Sequence, residues 1–288
     1  MDIAAKQAEL DAVTWYHEFD FGNGLRTHTH CHHIEQHRRV WAFVKAQLDR
    51  VDFRGKSVLD IGSWDGYWSF HAEKRGARAV LASDDLGQNW SAGRGIHLAK
   101  ELLGSSVEID QNLSVYDLPS RGQKFDVILF LGVYYHLHDP FYALAQIRHC
   151  CHKDTVVVID GPIGQYLGAG AHYDFPNHGC EWLPSESAMR QLLEATYFTE
   201  PAVAHDTSPT DQPGRVGWRW RLQMARAALS GSRAAMSAKL TEALLPSRRT
   251  VFVCRPHEGE VTLHHYRPPF GLHAYDPRFR DATARRAA

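Results

Sequence analysis

The sequence predicts an α/β fold, a doubly wound sheet of mainly parallel strands with helices on both faces. Three observations carry this. Short apolar runs alternate with helical stretches from Ser57 to Ile159. One run, DVILFL at Asp126–Leu131, is apolar along most of its length, as a central strand covered on both faces is. The first run ends in a glycine-bearing turn, SVLDIGSWDG at Ser57–Gly66, that leads directly into a helix.

The elements follow in order. Apolar residues at 34, 41, 44, 48 and 51 form one face of a helix. Strand one spans about 57–61, a helix runs over 66–75 to Gly76, and strand two spans about 79–83. A helix covers Gly93–Leu103, and strand three lies near 106–109. Asp139-Pro140 caps a helix reaching to about 151, with proline at its first position. Thr155–Ile159 is a buried strand, and Ser185 is the N-cap of SESAMRQLLEA. Phe198–Ala204 and Thr250–Arg255 are late strands. Gly161–Pro184, rich in Gly, His, Tyr and Pro, reads as a long loop above the strand ends. Trp218–Leu245 reads as an amphipathic helical insertion, either a lid or a contact in a homodimer. The organisation expected is an N-terminal helical cap over 1–50, a ligand-binding domain over 51–260 carrying the insertion at about 218–245, and a tail over 261–288.

The glycine turn is not the dinucleotide-binding one. Its glycines, Gly62 and Gly66, are spaced by four, and Trp64 stands where a diphosphate loop needs a middle glycine. Gly62 permits the sharp turn, and Gly66 lets a ligand approach the helix start. Asp60 ends the strand and Asp65 sits in the loop, so the surroundings repel phosphate and suit a cationic ammonium group. Asp84, followed by Asp85, ends the next apolar run, where a carboxylate accepts both ribose hydroxyls of an adenosine. Adenosine plus ammonium without phosphate describes S-adenosylmethionine.

Net charge is −1, which gives no overall field toward nucleic acid or an anionic membrane, so no nucleic-acid partner is expected. Hydrophobic content of 44% and charged content of 23% suit a globular chain. No apolar run is long enough to span a bilayer, and the N-terminus lacks a signal-peptide core. Five cysteines without C-x-x-C spacing read as reduced thiols, so a cytoplasmic location is expected.

Four stretches carry a family resemblance: WYHEFDFGNGLRT at 15–27, VLDIGSWDGYWSFHAEKRGA at 58–77, FDVILFLGVYYHLHDPFYAL at 125–144 and WLPSESAMRQLLEATYF at 182–198. Together they cover much of residues 15–200. The chain resembles a class I S-adenosylmethionine-dependent methyltransferase, in the branch near the tRNA wobble-uridine carboxymethyl/methoxy transferases. The resemblance implies a Rossmann-like seven-stranded sheet with one reversed strand. It implies donor contacts from Asp60, Gly62, Ser63, Trp64, Asp65, Gly66, Asp84 and Asp85, from Tyr116 and Asp117 at the adenine edge, and from Leu131 and Gly132. The chain departs from the branch in lacking a long basic N-terminal region, and Asp160-Gly161 stands where the branch often carries Glu-Thr. With the neutral charge, this favours O-methylation of a small polar acceptor, a sugar or a natural product. The alternatives are a tRNA-modifying enzyme or a non-catalytic ligand-binding fold.

Methyl transfer from a sulfonium is an in-line displacement that depends mainly on alignment. A hydroxyl acceptor also needs a base, and His136, just after Gly132-Val133-Tyr134-Tyr135, is expected in that role, with His172 and His178 as rivals. Trp15, Tyr16, Tyr134, Tyr135, His172, Tyr173 and His178 are expected to face the acceptor. HTHCHH at 28–33 has four histidines, but no second ligand cluster lies near in sequence, so it reads as a polar wall or plain surface. If Mg²⁺ serves the reaction, Asp160, Asp174 and Glu181 carry the oxygen donors. The paired Arg248 and Arg249 read as solvated surface.

Overall fold

The computed structural model describes residues 2–87, 89, 91–164, 168–173, 182–207, 225–226, 229 and 247–284. The chain opens with helix α1 (Ile3–Asp11), whose N-cap Asp2 accepts from the amides of Ala4 and Ala5. A small hairpin, β1 (Asp20–Gly22) and β2 (Leu25–Arg26), follows, then α2 (Ile34–Leu48). The α/β alternation begins with β3 (Ser57–Ile61), α3 (Tyr67–Lys74), β4 (Ala79–Ser83), α4 (Arg94–Leu103), β5 (Glu108–Asp110), β6 (Phe125–Leu131) and α5 (Pro140–His149). It continues through β7 (Cys151–Gly164), β8 (Ala171–Tyr173), β9 (Trp182–Pro184), α6 (Glu186–Ala195), β10 (Ala202–His205), β11 (Ser247–Cys254) and α7 (Pro277–Ala284).

Seven strands form one sheet in the order β10-β11-β7-β6-β3-β4-β5. β11 runs antiparallel to both β7 and β10, and the other pairs are parallel. This is the sheet with one reversed strand that the resemblance implies. From β3 the chain winds outward through β4 and β5, then returns to place β6 on the other side of β3. The reversal opens a crevice at the carboxyl ends of β3 and β6, where a ligand binds in open α/β sheets. Two apolar layers pack on the sheet. One joins Trp15, Trp41, Val44 and Leu48 of the N-terminal region to Val58, Val80 and Val127; the other joins Ile128, Phe130, Leu144, Ile147 and Met189.

Strand and helix positions match the pattern closely, and the departures have physical reasons. β7 runs past Ile159 to Gly164 because reversed β11 pairs with it through the register Ser247↔Gly164. The long loop expected over Gly161–Pro184 therefore begins as strand and also contains the β8–β9 hairpin. The late strand expected from Phe198 starts at Ala202, because Phe198 makes only an isolated bridge to Pro256. The helical insertion expected at about 218–245 lies outside the described residues apart from 225–226 and 229.

Residues expected as a tail instead dock on the domain. Val261 and Leu272 are buried with Tyr197 and Ala145. Arg148, on α5, donates to the carbonyls of Tyr197 (3.1 Å) and His257 (2.9 Å), and its guanidinium lies 3.6 Å from the centre of the Tyr275 ring. No described helix is long and apolar enough to cross a membrane.

Candidate active site

The loop after β3 is held rigidly. The amides of Gly62 and Ser63 both donate to the Ser83 carbonyl at the end of β4 (2.9 and 3.0 Å). Trp64 takes a left-handed conformation, φ 53°, uncommon for a bulky residue and held by the surrounding turn. Gly62 is required twice over: its φ is +68°, and an added Cβ would stand 2.5 Å from Val133 Cγ2. The loops after β3 and β6 thus meet across the crevice.

Four groups of this loop and its neighbours fit a sulfonium adenosine donor. Asp60 is buried and accepts from Ser69 Oγ on α3 (2.6 Å); burial pushes its carboxyl up to about 7, with Asp84 and Asp65 adding to the rise. Ser63 Oγ is buried with no partner among the described residues, a polar atom left for a ligand to meet. α3 begins at Gly66 without a side-chain cap, leaving amide donors at its start. Asp84 is buried, accepts from Asn89 Nδ2 (2.7 Å) and the Asp85 amide (3.0 Å), and keeps lone pairs for further donors. Burial raises its carboxyl above the usual range.

Other expected donor residues have different work. Asp65 spends both carboxylate oxygens on the N-terminal segment: Oδ2 accepts from the amides of Tyr16 (3.1 Å) and His17 (2.8 Å), and Oδ1 lies 2.7 Å from His17 Nδ1. Asp85 accepts from the Gly87 amide (3.0 Å), closing its own turn. The Tyr116 hydroxyl accepts from the Asp139 amide (3.2 Å), and its ring stacks on Tyr142 at 5.5 Å. Asp117 is exposed beside it. Leu131 ends β6, and the Gly132 amide donates to the Asp160 carbonyl (2.9 Å).

Of the residues expected at the acceptor, Tyr16, Tyr135 and His136 lie near one another, together with one residue that the sequence misplaced, Arg249. Far from solvated surface, the Arg249 guanidinium is partly buried against the fully buried Asp160, with Nε 2.9 Å from Oδ1 and Nη2 in closer contact with Oδ2. Its Nη1 reaches the Tyr135 hydroxyl at 3.4 Å. Burial works against the Arg249 charge, but Asp160 and Tyr135 more than offset it and hold the guanidinium protonated well above its ordinary value. Losing Arg249 would leave the Asp160 carboxylate a buried unpaired charge, at a cost of about 3–5 kcal/mol. One signal was available: Arg249 alternates with Val251 and Val253 on one face of β11.

His136 ends a short 3-10 turn at Tyr134–His136, with its ring 4.1 Å from that of Tyr135. His136 is an exposed residue, and partial desolvation of its ring by the surrounding protein, then the Arg249 charge, lowers its pKa below the ordinary imidazole value. The Tyr16 hydroxyl lies 3.2 Å from His37 Nδ1, close enough to Tyr135 and Arg249 for their charges to bear on it. Burial raises its pKa.

Two residues expected at the acceptor are structural. Tyr134 is buried and donates to the Pro162 carbonyl (2.6 Å). Trp15 is buried, with Nε1 donating to the Leu10 carbonyl (2.9 Å). His172 and Tyr173 lie on β8, Tyr173 half-exposed with its ring 6.2 Å from Trp182. His178, Asp174 and Glu181 lie outside the described residues. Asp160 is committed to Arg249, which removes it as an Mg²⁺ donor. Within HTHCHH, His30 Nδ1 lies 2.5 Å from the Trp15 carbonyl. Among the described residues, no group of three or more His, Cys, Asp or Glu is placed to hold a metal.

A crevice at the switch point, a glycine turn against Val133 and a buried acid ending β4 define an S-adenosylmethionine-dependent methyltransferase. A family model described as a methyltransferase domain matches residues 31–199, and the chain belongs to that family. It is 30% identical over 175 residues to the tRNA U34 carboxymethyltransferase of Pseudomonas paraeruginosa, covering 59% of this chain and 53% of that protein. It is 34% identical over 121 residues to the tRNA U34 carboxymethyltransferase of Campylobacter hominis, covering 41% of each. The chain thus spans about half the length of these relatives. The [4+2]-cyclase SpnF shares the fold with a TM-score of 0.57 at 14% identity, covering 88% of this chain and 93% of that one. The relatives overturn two expectations, the small polar acceptor and the absence of a nucleic-acid partner. Net charge is a sum over the whole surface, whereas phosphate binding depends on the few cations that touch the backbone.

Two outcomes follow from the loop itself. Gly62→Ala should lower stability by about 1–3 kcal/mol through left-handed strain and the clash with Val133, read as a lower denaturant midpoint. Asp60 has a folded pKa raised to about 7, so its stabilising effect is present at low pH and lost as pH rises through about 7. Asp60→Asn should flatten that loss, seen as a smaller fall in melting temperature between acid and alkaline buffer.

Proposed function

We propose that this chain modifies the wobble uridine of tRNA by group transfer from a sulfonium donor of the S-adenosylmethionine type. The observation that carries the reading is the match to tRNA U34 carboxymethyltransferases, which spans 59% of the chain in the Pseudomonas paraeruginosa protein. The matched class is supported by the donor crevice and by an acceptor side built from Tyr16, Tyr135, His136 and Arg249.

When bound, the donor supplies an electrophilic carbon on a cationic sulfur. The chain's residues bind and orient. Asp84 accepts the ribose hydroxyls, Asp60 and Ser63 face the amino-acid end, and the left-handed turn at Trp64 keeps the loop in register. Tyr135, ordered by Arg249, and Tyr16 wall the acceptor side and exclude water. His136 takes the acceptor's proton. Its lowered pKa suits an acceptor whose proton is already acidic better than an aliphatic alcohol, because a weak base needs an easy proton.

The decisive test is donor-dependent modification of purified tRNA, with nucleosides read by mass spectrometry. A new modified uridine from tRNA carrying U34, absent from a U34→C34 transcript, is expected. Modification of both transcripts, or of neither, overturns the reading. Asp84→Ala should weaken donor binding by about 1.5–3 kcal/mol, roughly ten- to hundred-fold, in calorimetry. Unchanged affinity would remove Asp84 from the donor site. For His136, the wild-type rate should fall on the acid side, with its limb below the ordinary imidazole value. His136→Ala should cut turnover by roughly 10²-fold with donor affinity intact. A limb near the ordinary imidazole value would mean that another group takes the proton.

A further inference from the structure

We propose that Asp65 is a positioning residue, a latch between the donor loop and the N-terminal segment that sets Tyr16 at the acceptor side. The acceptor arm of its test rests on the tRNA reading above; the other arms do not. Asp65 lies in the middle of the glycine turn, where a donor ligand would be expected, yet its carboxylate is spent on the cap. It accepts two backbone amides, Tyr16 and His17, and contacts the His17 ring at 2.7 Å. Both side chains of the Asp65–His17 contact are almost wholly buried, at 2% and 6% exposure, so water does not compete for it.

The segment so held is braced on both sides. The His17 ring stacks on Tyr67, the first residue of α3, at 4.6 Å and 10°, and lies against Trp41 and Trp68. Trp15 presses on the start of α4, where a Cβ on Gly95 would stand 3.2 Å from its ring. Between these anchors the Tyr16 ring lies 4.8 Å from that of His17 and 5.8 Å from that of Trp41. Its hydroxyl meets His37 of α2 at 3.2 Å, and α2 touches β11, the strand that carries Arg249. The cap therefore spans the site, fixed to the donor loop at Asp65 and reaching the acceptor side through Tyr16. Any shift of the donor loop is passed to Tyr16 through two consecutive amides, with no flexible residue between.

The test uses Asp65→Asn, Tyr16→Phe and the double variant. Asp65→Asn should keep donor affinity within about twofold of wild type, raise the KM for tRNA about tenfold and change kcat less. Hydrogen exchange should show residues 13–30 losing protection while β3 keeps it. In the Tyr16→Phe background, Asp65→Asn should have much less effect on KM, because the latch acts through Tyr16. His17→Phe keeps the ring stack and both amide bonds, and should give a milder shift of the same kind, which covers a failure of Asp65→Asn to fold. Additive effects, unchanged exchange in 13–30, or a donor affinity that collapses while the KM for tRNA holds would each overturn the latch. If the wild type modifies no tRNA, the functional reading fails, while the exchange and donor arms still decide the latch.

Discussion

Two loops in contact across the sheet organise this molecule. The turn after β3 and the turn after β6 meet where the winding of the sheet reverses, so closely that Gly62 has no room for a methyl group beside Val133. The consequences run outward strand by strand. The Gly132 amide ties the β6 turn to β7 at Asp160, and Asp160 in turn holds Arg249 of the reversed β11. On the other side, the Gly62 and Ser63 amides tie the β3 turn to the end of β4, next to Asp84. One line of contacts therefore runs across the sheet, with Asp84 at one end and Arg249 at the other.

The strands were legible because the cause is local. DVILFL is apolar at nearly every position, since both faces of β6 are covered, and β3 and β4 fall on the predicted residues. The site was legible only where the backbone demands a residue type, as at Gly62, or where a strand ends in an acid, as at Asp84. What a side chain does once there depends on partners distant in sequence. Asp65 looked like a donor ligand until His17 was placed beside it, and Asp85 closes its own turn. Tyr134 and Tyr135 are neighbours in one motif, yet one hydroxyl supports Pro162 in the core while the other meets Arg249. Arg249 itself was hidden by its neighbour Arg248, because a pair of arginines looks like solvated surface until the face of the strand is known. The extent of β7 was missed for a similar reason, since Gly161–Gly164 becomes strand only through pairing with β11.

Composition failed in a different way. A net charge of −1 says how the molecule behaves as a whole and little about one face of it. The fold was equally silent on chemistry, since the [4+2]-cyclase SpnF shares it. Sequence similarity to tRNA-modifying proteins carried the functional reading, and the geometry says how such chemistry would be housed.

Arg148 has a consequence for how the protein can be handled. It is a buried cation that, among the described residues, meets two backbone carbonyls and the face of Tyr275 rather than a carboxylate. One of those carbonyls and the ring come from the segment after β11, so that segment solvates a charge in the interior of the main domain. A shortened expression version ending soon after Cys254 would remove the His257 carbonyl and the Tyr275 ring and leave the guanidinium with the Tyr197 carbonyl. Such a version would be expected to recruit water or aggregate, although every residue of the donor crevice is still present. For crystallisation trimming or reporter fusion, the folded boundary therefore lies beyond Tyr275, well outside the stretch that the methyltransferase family model covers.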